Sequence, residues 1–269
     1  MAEKKTERYA IVISSVDHFS DLWPPFFQLL FRHWEKPSYP VWLISTQQYY
    51  NDPRVNTFRT KTDLHWGTNL LNALEEINAD YIIYLQDDYL FNGAVDTEKL
   101  ESAVSWLEQR KGHYLDLFFP SKKIYEGTDH QDYGRLTIEN HWLADLQAAI
   151  WKVDTLRAQV KRGWNPWGAE CALNRNAKEL NGEGYYRLTE YCRTSFPYIQ
   201  GVKGGFWLKE AVDCCREQNI QIDLNYRPSP PVGQSFARKM WRSIIKRRMA
   251  FQRWRRAICP PPEAVEPQA

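Results

Sequence analysis

Cysteine is scarce in this chain, five residues among 269, and glycine, at 13, is little more common. The cysteine count is odd, Cys214 and Cys215 are adjacent, and no Cys-x-x-Cys pair or Cys/His metal spacing occurs. A disulfide framework is thereby excluded, and the thiols read as core filler. Long apolar runs are missing too. The densest, Phe26 to Phe31 and Tyr81 to Leu85, fall far short of the about 18 residues that a membrane-spanning helix needs. The N-terminus, MAEKKTERYA, passes from charge into a strand-like run with no apolar signal core, so a cytoplasmic location is expected. No Gly-x-Ser-x-Gly, P-loop, His-Glu-x-x-His or Gly-x-Gly-x-x-Gly is present, and no motif around Cys192 marks it as a nucleophile.

What remains is an ordinary globular composition, 43% hydrophobic and 25% charged, which excludes disorder and a collagen-like repeat and fits one main domain. Aromatic residues are abundant, with 12 Trp, 15 Tyr and 12 Phe, many of them beside Gly, Asn or Pro. Rings in such places suit flat binding surfaces as well as cores. The net charge of +2 is unevenly spread: residues 238–256 hold nine basic and no acidic side chains, whereas the chain before Arg238 holds 26 basic and 31 acidic, a net of −5. An acidic body carries a basic tail.

Along the body, Tyr9–Ser14 is a β-branched run ending in the polar loop Ser14-Ser15-Val16-Asp17-His18, where His18 is either a ligand contact or a plain loop residue. Ser20 is expected to cap a helix with Pro24 and Pro25 in its first turn. A strand over Pro40–Ser45, a turn at Asn51-Asp52-Pro53, a helix capped by Thr68 and a strand over Tyr81–Leu85 follow. This alternation predicts a mainly parallel α/β sheet flanked by helices, whose ligands gather beyond the carboxyl ends of the strands. Asp96 caps a further helix to Arg110, and Leu115–Phe119 and Leu146–Trp151 read as strands. The polar segment Ser121–Asn140, with His130, Asp132 and Arg135, reads as a lid over a site. A helix from Trp167 to Leu180, a strand over Tyr198–Val202 and a helix after Gly204-Gly205 complete the body, 1–226. Arg227-Pro228-Ser229-Pro230-Pro231 then reads as a stiff linker opening a tail, 227–269.

Asp87 and Asp88 stand just after a buried strand. A hard divalent cation carrying a diphosphate needs only one or two protein carboxylates, because phosphate oxygens and waters complete its shell. A solvated turn or helix cap explains such a pair equally well.

The pair has company. The pieces Ser14-Ser15-Val16-Asp17 with Asp21-Leu22-Trp23, Trp66-Gly67-Thr68-Asn69, Leu85-Gln86-Asp87-Asp88-Tyr89, Leu146-Gln147-Ala148-Ala149-Ile150-Trp151, Trp164-Asn165-Pro166-Trp167-Gly168-Ala169-Glu170 and Gly201-Val202-Lys203-Gly204-Gly205-Phe206-Trp207 span about residues 9 to 225. In order and spacing they resemble the nucleotide-sugar glycosyltransferases of the GT-A type, particularly bacterial ones of surface-polysaccharide (lipopolysaccharide or capsule) pathways. The resemblance implies a Rossmann-like GT-A sheet and a nucleotide-sugar donor. Asp88 would hold a cation, Mn²⁺ or Mg²⁺, on the donor diphosphate, Asp87 would face the ribose or donor sugar, Asp17 the nucleobase, and Asn69 the donor beside Ser14 and Trp66. The family signature is Asp-x-Asp, whereas this chain has an amide, Gln86, at the first acidic position, which leaves metal dependence open. Asp17 as a turn former and Asn69 as a first-turn helix residue are the plain alternatives.

Inverting transfer needs a base on the face opposite the leaving diphosphate. Glu170 matches the acidic residue that opens the helix after the acceptor region, and the flanking Trp164 and Trp167 can stack on a sugar. A first-turn glutamate favoured by the helix dipole is the alternative. Gln147, amid apolar neighbours, is a sugar-hydroxyl contact or a hydrogen-bonded core amide.

From Phe236 to Ile258, apolar residues recur at steps of mostly three or four between arginines and lysines, as in an amphipathic basic helix. An anionic membrane surface, nucleic acid and a partner protein are its candidate partners. The tryptophans suit headgroup depth and the acidic body repels a phosphate backbone, so residues 236–258 are expected on a membrane and nucleic acid is not. A peripheral location at the inner face of the cell membrane and a lipid-linked saccharide acceptor follow as expectations. Two other functions suit the sequence: a catalytically silent scaffold of the same fold docked on a membrane, and a nucleic-acid-binding protein acting through the tail.

Overall fold

The computed structural model describes residues 7–118 and 122–229. The expected basic helix of 236–258 lies outside the described residues. Among those described, no helix is long and apolar enough to cross a membrane.

The first half alternates as the sequence predicts except for one added strand, Val55–Arg59, which follows the second strand directly and pairs with it in parallel. Strand β1 (Glu7–Ser14) leads through a 3-10 turn (Asp17–Leu22) to helix α1 (Trp23–His33), then β2 (Val41–Ser45), β3 (Val55–Arg59), α2 (Trp66–Ile77) and β4 (Ala79–Gln86). β1 and β4 are apolar almost throughout because both of their faces are covered, which is what central parallel strands require. Period two divides their side chains between two cores. Ile11, Ile13, Ile83 and Leu85 pack towards α1, while Ala10, Val12, Ile82 and Tyr84 pack towards α2.

Beyond β4 come β5 (Tyr89–Phe91), α3 (Thr97–Gln109), β6 (Tyr114–Asp116), β7 (Tyr125–Gly127), β8 (Tyr133–Leu136), β9 (Ala149–Lys152), α4 (Val153–Gln159), α5 (Pro166–Glu179), β10 (Tyr185–Leu188), β11 (Tyr198–Gln200), the pair β12 (Val202–Lys203) and β13 (Phe206–Trp207), and α6 (Lys209–Glu217). The main sheet has nine strands in the order β3-β2-β1-β4-β9-β6-β10-β8-β7. β5 pairs with β11 in a separate two-stranded sheet.

The sheet is mixed rather than mainly parallel. β9 lies antiparallel between β4 and β6, and β8 is antiparallel to both β10 and β7. No helix separates β6 from β9, so the alternation that implies parallel strands stops there. The expected lid is likewise a β-hairpin, β7–β8, that closes one edge of the sheet. Its polar residues are its own supports: Arg135 faces Glu126 in register and bonds it, Asp132 pairs with Lys99, and His130 stacks on Tyr133.

Helix starts divide between the expected and the corrected. Asp96 caps α3, its Oδ1 accepting the Lys99 N–H at 3.0 Å, and Asn165 caps α5 by accepting the Gly168 N–H at 2.9 Å. Ser20 caps nothing, because the 3-10 turn runs directly into α1, although the prolines do fall in its first turn. Thr68 lies inside α2, which starts at Trp66, and its hydroxyl accepts the Gly163 N–H instead. Asp96→Ala is expected to cost about 1 kcal/mol, the usual worth of an N-cap, as a lower urea midpoint at unchanged slope.

Candidate active site

Strand register collects the chemistry on one edge. Ser14 pairs with Gln86, Ala149 pairs with both Tyr84 and Asp116, and Asp116 pairs with Arg187. The carboxyl ends of β1, β4, β6 and β10, together with the start of antiparallel β9, therefore share the place where α/β sheets bind ligands.

Asp87 and Asp88 form the tight turn between β4 and β5. Asp87 is buried and its Oδ2 accepts from the Ser15 hydroxyl, which in turn accepts the Trp23 indole N–H at 2.7 Å. Burial, and then the neighbouring Asp88 charge, push the Asp87 carboxyl up to about 8. Burial pushes Asp88 up to about 7 against the opposing pull of its own backbone N–H and of Arg227. The carbonyl of Asp88 accepts from Gly201 and Val202 at 2.8 and 2.9 Å, fixing the turn to the β11–β12 segment. Arg227, read from the sequence as linker, is buried here in a two-pronged pair with Asp21 at 2.8 and 2.9 Å.

Two adjacent desolvated carboxylates are a fitting donor set for a divalent cation. No cluster of three or more His, Cys, Asp or Glu gathers for a metal among the described residues, so the remaining ligands would have to come from a phosphate and water. Gln86 closes β4, its backbone N–H and carbonyl both bonded to the Tyr198 hydroxyl at 3.2 and 2.6 Å. The Trp66 indole N–H bonds both the Tyr84 hydroxyl and the Ser14 hydroxyl, at 3.3 and 3.0 Å.

The other expected donor residues organise loops. Both oxygens of Asp17 are engaged by the N–H groups of Thr46, Gln47 and Gln48 at 2.8 to 3.1 Å, which pins the β2–β3 loop. Asn69 is buried, accepts from the Leu64 N–H and donates to Asp63, fixing the approach to α2. At Gly67 a Cβ would come within 2.4 Å of the Lys161 carbonyl, so α2 and the loop before α5 meet only because that side chain is absent.

Glu170 stands in the second turn of α5, past the dipole-favoured first turn, and its Oε1 accepts the Leu146 N–H at 3.0 Å. Gln147, one residue on, has a buried Oε1 with no hydrogen-bond partner among the described residues. Burial, and then the charges of Asp88, Asp145 and Glu170, push the Tyr89 phenol upward. Through the Glu170–Leu146 bond, α5 holds the segment that carries Gln147 and leads into β9, the neighbour of β4. Trp167 is 44% exposed, whereas Trp164 packs against the α2-side core and its carbonyl accepts the Gly67 N–H.

Behind this group is a buried charge cluster that the sequence reading missed. Lys123 pairs with Asp116 at 3.0 Å and Asp145 at 2.8 Å, and its Nζ also reaches the Tyr114 hydroxyl and the Leu143 carbonyl. Burial alone would lower Lys123, but the two carboxylates outweigh it and hold the ammonium above its usual range. Asp116, a charge at the end of a short apolar strand just as Asp87 is, was the available signal. Ser15, Tyr89, Asp145 and Arg227 carried none.

No family model matches the chain, and no curated protein matches it in sequence. Among solved structures, S. aureus TarS 1–349 aligns at a TM-score of 0.45 and 9% identity, over 68% of this chain and 60% of its own. The same protein with UDP-GlcNAc aligns at 0.45 and 10%, over 82% and 69%. Mannosyltransferase PcManGT from Pyrobaculum calidifontis, with GDP-Man and Mn²⁺, aligns at 0.43 and 12%, over 68% and 54%.

Proposed function

We propose that the protein transfers a sugar from a nucleotide-sugar donor to a saccharide acceptor with inversion. The observation that supports this most is the carboxylate pair at the carboxyl end of β4, with the segment that carries Gln147 and is held by Glu170 leading into the neighbouring strand β9. In this reading Asp88 would hold the cation, which when bound would offset the charge developing on the departing diphosphate, and Asp87 beside it faces the ribose or donor sugar. Ser14, Trp66 and Asn69 shape the donor side, and Asp17 acts through the loop it pins. The acceptor lies towards Trp167, Trp164 and Gln147, whose free Oε1 suits a sugar hydroxyl. Glu170 takes the hydroxyl proton as that oxygen bonds the anomeric carbon, and the carbon–oxygen bond to the diphosphate breaks with its electron pair leaving on the diphosphate. A lipid-linked acceptor and an anionic membrane surface under residues 236–258 complete the proposal, in a surface-polysaccharide pathway.

Melting temperature against a panel of UDP, GDP, CDP and ADP and their sugars, with and without Mn²⁺, tests it. A ligand at a hundredfold excess over its dissociation constant stabilises by about 2.7 kcal/mol. One nucleotide is expected to raise the melting temperature, more with Mn²⁺ and less in Asp88→Ala. No shift for any nucleotide would favour a silent scaffold or nucleic-acid binding through the tail.

The metal increment has a direction with pH. Both carboxyls sit above their unfolded values, so without metal they contribute stability at acid pH that is lost as pH rises towards about 7 and 8. A cation needs the ionised forms, so the Mn²⁺ increment is expected to grow through the same window and to be small at about pH 6. An increment independent of pH would remove this pair as the cation site.

A further inference from the structure

Beside the first turn of α1 a cleft of about 490 Å³ opens between the β2–β3 loop and the turn at residues 223–226. Its size is within the range of about 300–1,000 Å³ usual for small-ligand sites. Tyr49 from one segment and Tyr226 from the other line it, 59% and 58% exposed. Exposed rings on two loops would be unremarkable if the loops were loose, but both are held. Asp17 receives three backbone N–H groups from Thr46, Gln47 and Gln48, and the Ser45 hydroxyl bonds the Gln48 carbonyl at 2.7 Å. Across the cleft, Asp223 Oδ1 accepts the N–H groups of Asn225 and Tyr226 at 2.8 and 3.0 Å, and the buried Arg227–Asp21 pair anchors the end of that turn. Rings set on loops that are already ordered cost little to bind with.

The chemistry of the lining narrows the ligand. It offers hydroxyl, amide and carboxylate groups from Ser20, Gln48 and Asp223 and includes Asp21, but no lysine or arginine. Asp223 presents a carboxylate there and the Arg227 guanidinium is already taken up by Asp21, so phosphates, nucleotides and acidic sugars find no free cation among the lining residues. A neutral pyranose has the complementary form, an apolar C–H face for a ring and hydroxyls for the amide and carboxylate. We infer that this cleft binds a neutral saccharide chain, with Tyr49 and Tyr226 as its stacking surfaces. Neither Asp87 nor Asp88 lines the cleft, although Trp23 does and bonds Ser15, the partner of Asp87. The inference stands without the transferase reading.

Calorimetric titration with maltotetraose, cellotetraose and chitotetraose, and with tetragalacturonate as the acidic counterpart, tests it on the full chain. At least one neutral tetrasaccharide is expected to bind, and tetragalacturonate to bind more weakly. Tyr49→Ala and Tyr226→Ala should each weaken binding about three- to tenfold, the size of one lost ring contact, with unchanged melting temperatures because both rings are exposed. Asp88→Ala should leave it intact. The inference is overturned if no neutral probe binds, if the acidic probe binds as well, or if the tyrosine variants bind normally. Loss of saccharide binding in Glu170→Gln with the tyrosine variants unaffected would assign the sugar to the acceptor site instead. Nucleotide binding is measured separately, so failure of the cleft and failure of the transferase reading are distinguishable.

Discussion

Glu170→Gln is expected to lower sugar transfer about 10²- to 10⁴-fold, the range for loss of a general base, with nucleotide binding and melting temperature at wild-type values. The amide keeps the carbonyl oxygen that accepts the Leu146 N–H at 3.0 Å, so the 145–147 segment stays where it is. It lacks the basic oxygen that would receive the acceptor's proton. Saturating kinetics with the donor identified by thermal shift would read the effect as a fall in kcat with donor KM unchanged. Donor hydrolysis, in which water replaces the acceptor, should fall in parallel because it needs the same base. Full activity in the variant would move the role to another carboxylate, and Asp145, on the segment that Glu170 holds, is the next candidate.

Which parts of this arrangement were readable in advance follows from burial and chain separation. β1 and β4 are continuous apolar runs, and α3 has both an amphipathic stripe and a capping aspartate, so each announces itself locally. β3, β7 and β8 do not, because they are edge or near-edge strands whose exposed positions carry Asn, Thr, Glu and Arg in no helical or alternating order. The mixed direction of the sheet was hidden for a related reason: β9 is a four-residue apolar run, and such a run has no intrinsic direction until its partners are known. At the site, Asp87, Asp88, Gln147 and Glu170 stood out as polar residues in apolar or aromatic settings. Their relation to one another depends on the pairing of β4 with β9 and on the bond from Leu146 to Glu170, both of which join distant parts of the chain. Asp17 shows the limit of reading a role from a residue type, since both its oxygens are engaged by backbone N–H groups. Arg227 shows the same limit for a proline-rich stretch: its partner, Asp21, is at the other end of the chain.

Lys123→Met should be the most destabilising single change in this region, costing about 3–5 kcal/mol at neutral pH, the price of leaving a buried pair without one partner. The Lys123 and Asp116 side chains are only 6% and 1% exposed, so water cannot take over the lost pairing. Asp145 on the other side loses its ion pair as well. Burial first, and the charge of Asp145, already press the Asp116 carboxyl upward against Lys123 and Arg187. With the ammonium gone, the opposition falls to Arg187 and the folded-state pKa rises further. A carboxyl whose folded pKa exceeds its unfolded value costs stability as pH rises through that window, so the deficit of the variant is expected to be largest at about pH 8 and smaller at about pH 5. Urea unfolding of wild type and variant at the two pH values measures both amplitude and slope. Adding Asp116→Asn to Lys123→Met removes one of the stranded charges and should recover part of the loss, a coupling that the double-mutant cycle isolates. A pH-independent deficit with no recovery would mean that Lys123 acts through packing of its aliphatic stem, not through the two carboxylates. The cluster also carries the segment that presents Leu146 to Glu170, because Asp145 Oδ1 accepts the Gln147 N–H at 3.1 Å while its other oxygen holds Lys123. The same substitution in protein that remains folded at low temperature should therefore lower transfer while leaving nucleotide binding unchanged.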